Sequence, residues 1–243
     1  MNKILPTLLA VVILCTACTK SIVEEYYENG NLKAHIELKR DKKHGTCSEF
    51  YDNGKPKSVI NYKNGVEDGV ATYYDAQGAK KMEVTFLNGK KEGTVRTYFF
   101  NGDLETDATY HNDKLEGVQK TFAKTGFLLE QITYKNGKED GPAQGWHDKN
   151  LVKYTGAYKN GLWDGKWQYY DTREFLVGEG EFTNGTGVQN NYDSNGNLYS
   201  KTNYVKNMKE GEETVYDSKG NIIKTVVYHE DKMVSIDGKP VER

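Results

Sequence analysis

From Ser21 onward, short runs of alternating apolar and polar residues are interrupted every dozen residues by Gly or by Asn-Gly. Val70, Thr72 and Tyr74 share one parity; Lys80, Met82, Val84 and Phe86 share one parity in the next run. A period of two is the signature of a strand with two unlike faces, and breaks this frequent leave no room for an ordinary helix. Two kinds of turn separate the runs. Asn64-Gly65, Asn88-Gly89, Asn136-Gly137, Asn160-Gly161 and Asn184-Gly185 predict two-residue hairpin turns, because both residues tolerate positive φ. Asp41, Asp113, Asn207 and Asp231 stand where the Gly is missing, and Asp and Asn tolerate that backbone best after Gly. The other turn ends on Gly, as in Asp52-Asn53-Gly54 and Asp193-Ser194-Asn195-Gly196. About eighteen short antiparallel strands follow from this pattern.

The pattern is periodic. Units begin at Gly45, Gly69, Gly93, Gly117, Gly141 and Gly165, each 24 residues apart; Gly187 arrives two residues early and Gly211 follows 24 later. Counting back to Ser21 gives nine units ending at Val234. The sixth position is aromatic in all nine, from Tyr26 and Phe50 to Tyr192 and Tyr216. The eighteenth is aromatic in eight, Leu38 being the exception. The tenth is Gly in seven, with Asn150 and Glu174 in the other two. Altered turns are therefore expected near residues 150, 174 and 186. One hairpin cannot bury its own apolar face, so neighbouring units must cover one another. The expected fold is all-β: an elongated single-layer antiparallel β-meander of nine tandem hairpin repeats of about 24 residues, its rings aligned in two ladders. Leu38 with Arg40-Asp41 at one end, and the tail 235–243 with Lys239-Pro240 at the other, read as caps against edge-to-edge association.

The chain opens differently. Met1-Asn2-Lys3 is positively charged, Ile4 to Leu14 is mostly apolar, and Ala17 precedes Cys18. The apolar run is too short to cross a bilayer as a helix and has signal-peptide proportions. Residues 1–17 are read as a lipoprotein signal peptide, Cys18 as the acylated residue, and 18–20 as a lipidated start with a short linker. Cys15 stands where the lipobox usually has Leu. Cleavage removes Lys3, leaving 32 basic and 35 acidic side chains, a net charge of −3. Without a basic excess, nucleic acid is not an expected partner. Aromatics at 12% exclude simple disorder. With Cys18 acylated, Cys47 is left as an unpaired thiol, and no disulfide framework is expected.

The spacing of Gly69, Tyr74, Gly78, Phe86 and Asn88-Gly89 resembles the MORN repeat, closest to the bacterial variant in proteins labelled YwqK-type antitoxins. The resemblance covers Ser21 to Val234. It implies an antiparallel meander with stacked rings, and roles as scaffold, membrane-associated platform or toxin-neutralising protein.

Candidate chemistry is sparse. Trp146, Trp163 and Trp167 fall in units six and seven with His147, Tyr169 and Tyr170. These six residues are the candidate binding patch; alternatively the rings fill space left by the Gly missing at 150 and 174. The residue before a unit-starting Gly is acidic at Asp68, Glu92, Glu116, Asp140, Asp164 and Glu210. This row either meets cations or basic partners, or bonds the backbone at turns. Its rungs, about 9–10 Å apart, are too far apart to share one ion without further ligands. His35, His44, His111, His147 and His229 are scattered, and no catalytic, nucleotide or zinc motif appears. No catalytic residue, metal or cofactor is expected. The expected protein is a lipid-anchored, non-catalytic scaffold of the bacterial cell envelope, at the outer membrane because Thr19 and Lys20 rather than an acidic residue follow Cys18. Its partner is an unidentified protein, and the membrane is reached through Cys18. An antitoxin neutralising a partner toxin is the alternative, and a carbohydrate-directed envelope enzyme a lesser one.

Overall fold

The computed structural model describes residues 10–14, 20–148 and 150–241. The described residues form strands and turns only. Two compact units divide the chain: Met1–Leu115 with Lys124–Gly126, and Glu116–Ala123 with Phe127–Arg243. The first holds β1 (Ala10–Leu14), β2 (Lys20–Tyr26), β3 (Leu32–Lys39), β4 (Lys42–Phe50), β5 (Pro56–Lys63), β6 (Val66–Tyr74), β7 (Lys80–Leu87), β8 (Lys90–Tyr98), β9 (Leu104–His111) and β10 (Lys114–Leu115). The second holds β11 (Gly117–Phe122), β12 (Leu128–Lys135), β13 (Lys138–Asp148), β14 (Leu151–Lys159), β15 (Leu162–Tyr170), β16 (Leu176–Thr183), β17 (Thr186–Tyr192), β18 (Leu198–Val205), β19 (Met208–Tyr216), β20 (Ile222–His229), β21 (Lys232–Ile236) and β22 (Lys239–Pro240). Within each unit every strand pairs antiparallel with the next. This is the expected meander of tandem hairpins. Within the expected leader, Ala10–Leu14 is a strand that runs along β2, from Ala10 opposite Glu25 to Leu14 opposite Ser21. Cys18 and the rest of the leader lie outside the described residues.

The two-residue turns adopt the expected left-handed geometry. Asn64 and Gly65 have φ of 54° and 92°, and Arg40 and Asp41 have 51° and 60°. These turns also tie successive repeats together. Gly65 N–H donates to Lys43 C=O at 2.8 Å, and Gly89 N–H to Glu67 C=O at 2.8 Å. Where Asp replaces Gly it adds a bond: Asp113 Oδ1 accepts from Lys91 N–H at 2.8 Å and Asp231 Oδ1 from Lys209 N–H at 2.7 Å. The stand-in residue thus offsets its strained φ with a hydrogen bond that Gly lacks.

The unit-starting Gly marks a bulge. Tyr62 pairs with Glu67 but Ile60 pairs with Ala71, so two extra residues sit on β6 around Gly69, whose φ is +108°. The same shift occurs between β7 and β8 and between β12 and β13. In the short unit, pairing runs without a shift from Phe182 opposite Gly187 to Gly178 opposite Asn191. The two missing residues are the bulge. The turn there is intact, with Asn184 and Gly185 at φ 49° and 73°, so the expected altered turn near 186 is instead a straightened strand. Glu174 likewise keeps the common turn: its φ is 67° and its N–H donates to Asp171 C=O at 3.0 Å, as Gly54 N–H does to Tyr51 at 2.9 Å. Only the turn at Asn150 is altered, pairing continuing to Asp148 opposite Leu151. Arg40-Asp41 is an ordinary hairpin turn rather than a cap. At the other end β21 runs past Val234 to Ile236, and Asp237-Gly238 turns into β22, where Pro240 offers no N–H to a further strand.

The core of the first unit is a row of small side chains on one face: Ala34, Cys47, Ser58, Ala71, Val84, Val95 and Ala108. Burial pushes the Cys47 thiol up, which keeps it protonated and inert. Eighteenth-position rings share this face but recur only on alternate strands, about 9–10 Å apart. That exceeds ring contact, so a side chain from the intervening strand fills each gap. Lys43 Nζ lies 4.8 Å from the Tyr62 centroid and Lys91 Nζ 5.2 Å from that of Tyr110. Direct rung-on-rung stacking, expected from the sequence, gives way here to rings separated by side chains of the intervening strands, Lys43 and Lys91 among them. Sixth-position hydroxyls bond instead to carboxylates that alternate away from the core row. Tyr98 donates to Glu83 at 2.6 Å, and Tyr192 to Glu179 at 2.9 Å.

Candidate binding face

In the second unit rings interrupt the row of small side chains, which continues at Ala143, Ser200, Thr202, Thr214 and Val226. Trp167 and Phe182 are each 2% exposed, buried with Ile132 and Ala143. Tyr134, Tyr154, Tyr158, Trp163, Tyr169 and Tyr204 pack around them. Tyr154 and Tyr169 stack on the Trp167 indole with centroids 5.8 Å and 6.2 Å away, while Tyr158 meets it edge-on at 5.0 Å. Trp163 contacts Trp167 at 5.7 Å, Phe182 at 5.1 Å and Tyr204 at 5.3 Å. Trp163 comes from the strand between two rungs, so it closes the gap that lysines fill elsewhere.

Mid-strand glycines make this possible. A Cβ on Gly156 would overlap the Trp167 indole, one on Gly145 the Tyr154 ring, and one on Gly180 the Phe182 ring. Gly inside a strand weakens it, but here each vacated Cβ lets a ring lie against the backbone. The Trp167 Nε1–H is satisfied by Ala157 C=O at 2.9 Å. Asn207 clamps the Trp163 backbone, its Oδ1 accepting from Trp163 N–H at 2.9 Å while its Nδ2 donates to Gly161 C=O at 3.2 Å. That reach of 44 residues exists because the bulge-free unit brings the next hairpin turn close.

The polar edge of the cluster is acidic. Tyr154 donates to Glu130 at 2.5 Å, and burial followed by this bond drives its phenol well above the usual range. Burial also raises Tyr158, Tyr169 and Tyr204. Glu139 is raised by burial and then by the Glu130 charge.

Of the candidate patch, Trp163, Trp167 and Tyr169 come together. Trp146, His147 and Tyr170 do not join them. His147 Nε2 lies 2.7 Å from Tyr170 C=O, doing what Tyr27 and Tyr51 do when they donate to Phe50 and Tyr74 carbonyls one repeat on. Sequence reasoning missed Tyr134, Tyr154, Tyr158, Phe182 and Tyr204. The available signal was Gly145, Gly156, Gly178 and Gly180 inside strands. The acidic row bonds the backbone: Glu92 accepts from Asn112 N–H at 2.9 Å, Glu116 from Asn136 N–H at 2.8 Å, Asp164 from Asn184 N–H at 3.2 Å. His44 takes this place in the first unit, facing Asn64 N–H at 3.4 Å. Among the described residues no cluster of three or more His, Cys, Asp or Glu is placed to hold a metal.

Five segments match the MORN repeat variant, at residues 22–39, 43–64, 91–112, 115–136 and 186–206. Each MORN match spans a strand, a Gly turn and the returning strand. Residues 137–185, which supply most of the aromatic cluster, fall outside the matches. The stretch that carries the aromatic core is thus one that the repeat model does not match. No curated protein sequence matches the chain.

Proposed function

We propose that the chain is a non-catalytic MORN-type scaffold that binds a protein partner and is held at an envelope membrane by acyl chains on Cys18. The observation that carries this reading is the bonding between repeats, in which seven of the two-residue hairpins donate a turn N–H to the preceding repeat. It fixes the backbone of successive repeats while leaving the outward side chains free to vary, which suits recognition. Glu179, in a groove of about 600 Å³ with Glu181, Lys166 and Lys201, accepts from Tyr192 at 2.9 Å and pairs with Lys166 at 3.2 Å. Those bonds lower its pKa, the reverse of what a glycosidase proton donor requires. Several acyl chains, at about 0.8 kcal/mol per buried methylene, make attachment nearly permanent. Intact mass of the chain from membranes should show a lipid adduct starting at Cys18, and cross-linking in intact envelopes should trap a defined partner. An unmodified mass, or no cross-linked species, contradicts the corresponding half of the reading; a toxin encoded beside the gene as partner would favour antitoxin action.

A further inference from the structure

The residue that faces an eighteenth-position ring across each two-residue hairpin forms a row. Lys43, Lys91 and Lys209, the acidic Glu67 and Glu139, and the apolar Leu115, Trp163 and Met233 hold this position, opposite Leu38 or an eighteenth-position ring. The lysines lean over the ring of the following repeat. Lys43, Lys91 and Lys209 place their ammonium groups 4.8, 5.2 and 4.6 Å from the centroids of Tyr62, Tyr110 and Tyr228. In these three repeats the slot holds a cation against the face of a tyrosine.

Glu139 has the same register beside Tyr158, whose phenol feels its charge. With Gly141 opposite Tyr158, the slot thus presents a carboxylate where three of its equivalents present an ammonium. Glu67 is the other acidic member, but it stands between Lys43 and Lys91 in the row, whereas Glu139 is followed by Trp163. Glu130 places a second carboxylate near Glu139. Among the described residues no lysine or arginine forms an ion pair with Glu130 or Glu139. Nor does one lie over the ring of Tyr154, Tyr158, Trp163 or Trp167. Negative ring faces and two carboxylates, without a described counter-charge, are complementary to an organic cation.

We propose that Glu139, Glu130, Tyr154, Tyr158 and Trp163 form a site for a lysine side chain presented by a protein partner. The external ammonium takes the place that Lys43, Lys91 and Lys209 hold in their own repeats, stacked on Tyr158 and paired with Glu139. This deepens the scaffold reading and rests on it, by naming the chemistry of the contact.

The test titrates the full chain with N-acetyl-lysine-N-methylamide and follows tryptophan fluorescence, since Trp163 borders the slot. A saturable change at millimolar ligand is expected, which sodium chloride at matched ionic strength does not reproduce. Glu139→Lys should fill the slot from within, weakening the response at least tenfold while leaving the melting temperature equal or higher. Glu67→Gln should bind like the unmodified chain. The absence of a saturable change, or Glu139→Lys binding with undiminished affinity, overturns the site. If Glu139→Lys still cross-links the envelope partner as efficiently as the unmodified chain, this site is refuted while the scaffold reading stands. If the lysine analogue binds and no partner is trapped, the site is upheld and the scaffold reading fails.

Discussion

Replacing Gly156 by Ala adds one methyl group, and its effect depends on Trp167. The new Cβ would overlap the indole, which has little freedom to yield. Trp167 is 2% exposed, touches Tyr154, Tyr158, Trp163 and Tyr169, and is anchored by Nε1–H to Ala157 C=O. Overpacking of this kind costs about 1–3 kcal/mol. Against it stands the gain from restricting the unfolded chain, about 0.5–1 kcal/mol for Gly to Ala in a strand. The net expectation is a loss of about 1–2 kcal/mol from the difference of these terms. In a Trp167→Leu background the overlap disappears, so Gly156→Ala should become neutral or stabilise by about 0.5 kcal/mol. The double-mutant cycle should therefore give a coupling of at least about 1 kcal/mol. Gly102→Ala is the control: nothing lies within 4 Å of its Cβ, and its φ of +88° makes the cost a backbone matter. That cost should be the same with either residue at 167. Denaturant midpoints by circular dichroism, with tryptophan fluorescence reporting the cluster separately, measure all of these, since repeat arrays need not unfold in one step. An unchanged midpoint for Gly156→Ala, or an equal loss in both backgrounds, would refute the claim that the glycine exists to seat the indole.

Three further outcomes follow from other contacts. Asn207→Ala removes both bonds that clamp β15 and should destabilise by about 1–3 kcal/mol, read as an earlier denaturation midpoint; no shift would mean that the clamp is incidental. Glu230→Gly relieves a non-Gly φ of 48° and keeps the backbone bond to Glu210, so a rise in stability of up to about 1 kcal/mol should appear in the same assay, and a fall would show that the side chain matters. Burial, followed by the bond to Glu83, pushes the Tyr98 phenol up to about 12 from 10. Because the folded value is the higher, the associated stability is complete below pH 10 and lost as pH rises through about 12. Tyr98→Phe should remove phenolate absorbance from that upper range; loss of amplitude near pH 10 instead would refute the burial of this hydroxyl.

The strands, both kinds of turn and the repeat length were legible in the sequence because each depends on residues close along the chain. Asn-Gly dictates positive φ whatever lies around it, and alternation fixes which side chains share a face. The alanine, cysteine and serine rungs of the core were not legible, since alternation marks a shared face but not which of its side chains are covered. What the two absent residues before Gly187 do was not legible. A shorter unit signals a change, but only the pairing of β16 with β17 shows that the bulge is lost while the turn remains. The candidate patch divided for a similar reason. Trp146, Trp163 and Trp167 are near in sequence, yet strand alternation and the turn geometry separate Trp146 from the others. Tyr154, Phe182 and Tyr204 joined them through strand pairings and a hydrogen bond that link residues 15 to 44 apart, which no local pattern encodes. Local backbone chemistry therefore determined the repeat, and tertiary pairing decided which rings meet, because ring contact depends on where strands lie beside one another rather than on their order along the chain.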